Sequence, residues 1–174
     1  MSGLTPPVSD TDHRSGPEDA PVTVVEYGDF ECPSCGAAYP IVEKVRKKMG
    51  DRLRFVFRHF PLTQMHPHAM RAAGAAEAAG AEGKFWPMHA MLFEHQDALE
   101  DEDLLGYARA LRLDEKRFAS DVASEDAARR IRQDVRSGTR SGVNGTPTFF
   151  INGVRYDGSW EGPDLLRAVE SAAR

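Results

Sequence analysis

The chain holds only two cysteines, Cys32 and Cys35, three positions apart in Gly28-Asp29-Phe30-Glu31-Cys32-Pro33-Ser34-Cys35-Gly36. A pair at that spacing supports two chemistries. One is thiol–disulfide exchange by a reactive dithiol; the other is capture of a thiophilic metal such as zinc. A third use, a structural staple, is a poor one here, because closing so short a loop yields only about 2 kcal/mol in the chain-entropy model.

The elements on either side favour a reactive site. Pro21 to Tyr27 is rich in β-branched residues and bounded by Pro and Gly, the pattern of a buried strand. Tyr39, Ile41, Val42, Val45 and Met49 then recur at helical spacing over 37–49, with Pro40 inside the run and Gly50 as the stop. The cysteines therefore lie where a strand gives way to a helix, the place where open α/β sheets form sites. There the unpaired helix N–H groups and the macrodipole stabilise an anion, so Cys32 is the expected nucleophile, with a lowered pKa. Cys35, one turn further in, is the expected resolving thiol. Pro33 stiffens the loop between them, and Ser34 offers a hydroxyl but no positive charge. Glu26 breaks the apolar strand; a buried carboxylate is costly and its pKa should rise.

Residues 52–58 alternate charged and apolar side chains, as a half-exposed strand does. From Met65 to about Arg140 nearly everything reads as short helices, with Asp114 and Ser124 among the expected caps. Thr148 to Ile151 and Val154 to Tyr156 flank Asn152-Gly153, a strong two-residue hairpin signal, and a last helix begins near Pro163.

At 174 residues the chain fits one domain, and its net charge of −5 argues against nucleic acid or anionic membranes as partners. No apolar run approaches the ~20 residues of a membrane-inserted helix. Residues 1–18 are rich in Ser, Pro, Asp and Gly and are expected to form a flexible tail, without the apolar core of a signal peptide. On that composition the expected compartment is the cytoplasm, where a dithiol is catalytic sooner than structural.

Strand, Cys-x-x-Cys helix, strand, helical insertion, then Gly145-Thr146-Pro147-Thr148 leading into a hairpin and a final helix: this order resembles the thioredoxin fold as elaborated in DsbA-type oxidoreductases. It is most similar to the single-domain branch of which some members are fused to sodium/proton antiporters. The matching stretches are 19–40, 57–62, 83–89 and 143–153. The resemblance implies an α/β thioredoxin domain over 19–174 with a four- or five-stranded sheet. A helical insertion over about 65–140 separates the strand–helix–strand unit from the C-terminal hairpin and helix.

It also implies an activity: exchange of a Cys32/Cys35 dithiol–disulfide with a protein or low-molecular-weight partner, recycled by a second redox partner and needing no cofactor. In that pattern Glu26 lies beneath the second cysteine and assists its proton transfer. Pro147 is cis, and the backbone of Thr146 pairs with substrate. The alternative from a different class is a thioredoxin-fold binding or regulatory module that holds a metal, with His59, His66 and His68 joining the cysteines. His89 and His95 read as insertion-helix residues without ligand duty, and Tyr39, Phe85 and Trp86 as core.

Overall fold

The computed structural model describes residues 3–174. Five strands and seven helices follow in the order β1 (His13–Ser15), β2 (Val22–Gly28), α1 (Pro33–Met49), β3 (Leu53–His59), α2 (Ala69–Ala81), α3 (Phe85–Glu94), α4 (Asp101–Ala110), α5 (Glu115–Val122), α6 (Glu125–Arg140), β4 (Thr148–Ile151), β5 (Val154–Tyr156) and α7 (Asp164–Ala172). They form one sheet in the order β1-β3-β2-β4-β5. β2 and β3 run parallel, joined by α1, and the other neighbours are antiparallel. This is the thioredoxin-like arrangement, with α2 to α6 as the insertion.

Strand alternation divides the core. Val22 and Val24 join the larger cluster, which includes Cys35, Ala38, Val42 and Phe149. Val25 and Tyr27 point the other way, into a smaller cluster with Val56, Phe60 and Phe150. Glu26, two positions after Val24, therefore stands on the side of α1 and the cysteines. On the opposite side α6 approaches so closely that a Cβ at Gly138 would lie 2.8 Å from the ring of Phe60 and 3.0 Å from that of Tyr27. Asp114 and Ser124 cap α5 and α6 as expected, accepting from the N–H of Arg117 and Ala127. Asn152 and Gly153 both have positive φ, which closes the β4–β5 hairpin.

Two expectations are corrected. β3 is not half-exposed: it lies between β1 and β2, and every residue but Arg54 is buried. Its charged Arg58 is 2% exposed. The expected flexible tail is also replaced by structure, because residues 13–15 form β1 along the edge of β3.

The two corrections share a cause. Arg58 makes a two-pronged contact with Asp12, Nε to Oδ1 at 2.8 Å and Nη2 to Oδ2 at 3.0 Å. It also donates to the Tyr27 hydroxyl at 2.9 Å and to the carbonyl of Pro6 at 3.0 Å. A guanidinium inside the sheet needs these partners, and the N-terminal segment supplies most of them. Removing one member of a buried pair strands the other. We therefore expect Asp12→Ala to lower unfolding free energy by about 3–5 kcal/mol, read as a shift of the urea midpoint with an unchanged slope.

Candidate active site

The helix carrying the cysteines begins earlier than its apolar periodicity suggests. Cys32 is the N-cap residue of α1, Pro33 occupies the first helical position and Cys35 lies in the first turn. Proline suits that place, since its missing N–H would have no partner there. Cys32 is 6% exposed and Cys35 fully buried, and both are free thiols. Pro33 and Ser34 are exposed.

The two sulfurs are pushed in opposite directions. The Cys35 thiol, donating to the Cys32 sulfur, is the chief influence that brings Cys32 down to about 5. Burial opposes this, and the backbone N–H groups of Cys35 and Ser34 reinforce it. That value lies between an ordinary thiol near 8.5 and the about 3.5 of the most depressed dithiols. Cys35 is raised well above an ordinary thiol, first by burial, then by its bond to Cys32 and by the charge of Glu26. Glu26, 3% exposed, is raised by burial to about 8, with Glu43 adding to the rise and Arg46 opposing it.

The loop before β4 completes the group. The Cys32 thiol faces the carbonyl of Thr146 at 3.6 Å. The Thr146–Pro147 peptide is cis, and the Thr146 hydroxyl is buried without a partner. Thus Cys32, Cys35, Glu26, Thr146 and Pro147, read from separate parts of the chain, come together at one end of the sheet.

The histidines proposed as metal ligands beside the cysteines do not join them. His66 Nδ1 lies 2.7 Å from Asp29 Oδ2. His68 sits between Glu31 and Glu100, at 2.7 and 3.0 Å. His59 Nε2 lies 2.8 Å from Glu77. His89 is buried on α3, ringed by Phe30, Phe57, Phe85 and Phe93, and among the described residues no hydrogen-bond partner meets either ring nitrogen.

Several residues that hold the cysteine loop carried no motif. Gln96, just past α3, donates from Nε2 to the carbonyls of Phe30 at 2.9 Å and Cys32 at 2.8 Å. A Cβ at Gly36 would collide with that same amide, so the glycine after the second cysteine is what lets Gln96 in. Asp29, 1% exposed, accepts from the N–H of Glu31 and of Leu62. Adjacency to Cys32 was the one available signal for Asp29 and Glu31; nothing marked Gln96.

A family model described as Thioredoxin matches residues 8–171. The chain belongs to the thioredoxin family. Within it, the fold is that of the DsbA-like proteins. The crystal structure of oxidised BdbD from Bacillus subtilis superposes with a TM-score of 0.85, at 26% identity over 99% of this chain and 97% of that one. A thioredoxin-like oxidoreductase from Silicibacter pomeroyi gives 0.83, at 28% identity over 94% and 93%. Among curated relatives, Na(+)/H(+) antiporter NhaA 1 of Salinispora arenicola is 52% identical over 169 residues, 97% of this chain and 26% of the antiporter. NhaA 1 of Mycolicibacterium vanbaalenii is 45% identical over 98% of this chain and 28% of the antiporter. The chain thus spans about a quarter of those relatives, and none of the described helices is long and apolar enough to cross a membrane.

Two measurements check the electrostatics of this site. Thiolate absorbance of the reduced protein should titrate with a midpoint near 5 for Cys32, rising when Cys35→Ala removes the donor. Glu26 binds its proton more tightly folded (about 8) than unfolded (4.5), so the parent loses stability as pH rises between those values. Glu26→Gln should therefore match the parent below pH 4.5 and exceed it by on the order of a few kcal/mol at pH 8 in urea unfolding.

Proposed function

We propose that this domain is a thiol–disulfide oxidoreductase working through Cys32 and Cys35. The observation that carries the reading is the opposed placement of the sulfurs: Cys32 at the N-cap of α1, with its pKa lowered, and Cys35 fully buried in the first turn, with its pKa raised. An attacking thiol and a resolving thiol need that difference. The histidines near the cysteines are engaged with carboxylates, which favours exchange over a metal held by the dithiol.

In the reducing direction the Cys32 thiolate attacks a substrate disulfide. The substrate S–S bond breaks, a mixed disulfide forms, and one substrate sulfur leaves as a thiolate. Cys35 then attacks the Cys32 sulfur, its proton passing to Glu26 in that side chain's ionised form, so the mixed disulfide breaks and the second substrate sulfur leaves as a thiolate. The protein is oxidised by two electrons and the substrate reduced by two; the reverse sequence oxidises a dithiol.

In this reading the carbonyl of Thr146, beside Pro147, pairs with the substrate backbone next to the cysteine under attack. Pro33 and Ser34 shape the exposed approach, and Ser34 brings no cation to deepen the thiolate further. Substrates are protein or low-molecular-weight disulfides, and a second redox partner restores the dithiol.

Cys32→Ser should abolish insulin reduction by dithiothreitol-driven turnover. Cys35→Ser should keep the first step and accumulate a mixed disulfide, visible by intact mass. Unchanged turnover in Cys32→Ser would overturn the assignment. The reduction potential decides direction and tests the cytoplasmic placement. A value well below the cytosolic glutathione poise, roughly −220 to −320 mV, makes the domain a reductase there; one far above it makes it an oxidant of another compartment.

A further inference from the structure

Away from the cysteines, three side chains from three elements aim donor atoms at one another. His13 on β1, His59 at the end of β3 and Glu77 on α2 each bring one ligand-capable atom within 4.8 Å of the others. Nε2 of His13 and Nε2 of His59 lie 2.6 and 2.8 Å from the same oxygen, Oε2 of Glu77. The side chains are 16%, 1% and 12% exposed respectively. The His13 ring lies flat against Phe85, 3.7 Å between centroids and 6° from parallel, which fixes its direction. A cleft of about 450 Å³ opens at the cluster, with His13, Glu77, Asp121 and Asp126 among its lining residues.

We propose that His13, His59 and Glu77, brought together by β1, β3 and α2, form a binding site for a divalent transition metal of the zinc class. Two imidazole nitrogens and one carboxylate oxygen make a donor set zinc accepts while keeping one position open for water. Calcium and magnesium prefer a shell of oxygens, which this cluster does not offer. The cleft gives a path for the ion and supplies the water; its Asp121 and Asp126 are paired with Arg117 and Arg129, so the attraction for a cation comes from Glu77 itself.

Without metal the three groups form a hydrogen-bonded bridge, each ring donating its Nε2 proton to Glu77. That leaves a largely buried carboxylate facing two imidazole rings, a charge that a cation would balance. On binding, each ring's proton moves from Nε2 to Nδ1 through solvent, and the freed Nε2 lone pairs and Oε2 take the metal. Nδ1 of His59 is buried without a partner in either tautomer, so the exchange opens no new unsatisfied position. Ligand bonds of about 2.0–2.2 Å at tetrahedral angles put donors roughly 3.4 Å apart. The carboxylate must therefore withdraw by somewhat less than an ångström from its present place, within reach of a glutamate side chain.

The test uses the full chain carrying Cys32→Ser and Cys35→Ser, so that thiols take no part, after stripping with a chelator. Zinc is titrated by calorimetry and cobalt by visible absorption. The expected result is one equivalent bound, with cobalt bands of a tetrahedral nitrogen–oxygen site and no thiolate charge-transfer band. His13→Ala and Glu77→Gln should each weaken binding by at least about 100-fold. Zinc should raise the unfolding temperature of the parent and leave that of His13→Ala unmoved. His13 is the most exposed of the three, so His13→Ala keeps the test decisive even if Glu77→Gln does not fold. Absence of stoichiometric uptake, or uptake unchanged by His13→Ala, would overturn the site, whatever the dithiol does.

Discussion

A sulfur anion at Cys32 has to be stabilised without being fully wetted, and much of the surrounding structure follows from that requirement. Several sources of partial positive charge meet there: the Cys35 thiol, the side chain of Thr146, the backbone N–H groups of Cys35 and Ser34, and the field of α1. None is a formal cation. The stabilisation therefore depends on geometry, on Cys32 sitting at the N-cap and Cys35 within the first turn. A dithiol placed mid-helix would have no backbone N–H groups to spare, because the chain's own carbonyls would already hold them.

That geometry is enforced from outside the helix. Gln96 holds two carbonyls of the cysteine loop, Asp29 ties the loop to Leu62 and His66, and Glu31 ties it to His68. The insertion thus does more than cover the site: it supplies the donors that fix the loop's course. Glu26 works from below. Two strand positions past Val24, it stands on the α1 side of the sheet, where desolvation raises its pKa to about 8 and where, once ionised, its charge raises that of Cys35. The same arrangement that poises the sulfurs makes the region costly to ionise further.

What could be read from the sequence was what is encoded locally. The cysteine spacing, the buried strand with one acid in it, the Asn152-Gly153 hairpin and the caps Asp114 and Ser124 all depend on residues within a turn or two of each other. Thr146-Pro147 was legible through resemblance. What escaped depended on polar partners far apart in the chain. Arg58 looked like a solvent-facing strand residue because its partner, Asp12, lies 46 positions earlier in a segment with the composition of a loose tail. Gln96 is 64 positions from Cys32, and no periodicity announces a side-chain amide that caps two distant carbonyls. The metal proposal belongs to the same category. His13, His59 and Glu77 have no ligand spacing in sequence, and only the pairing of β1 with β3 under α2 brings them together.

The order of the sheet has a further consequence. Its two outermost strands, β1 and β5, are three residues each, and an isolated bridge from Gly3 to Val154 covers part of the β5 edge. The longer strands β2 and β3 are interior, so among the described residues no extended row of unpaired amides and carbonyls faces outward. On the proposed function, the chains whose disulfides this domain meets include incompletely folded ones, with strands of their own seeking partners. Short, partly occupied borders deny such chains a template for backbone pairing, which on the proposed reading leaves the carbonyl of Thr146, beside the Cys32 thiol, as the acceptor for a visiting backbone.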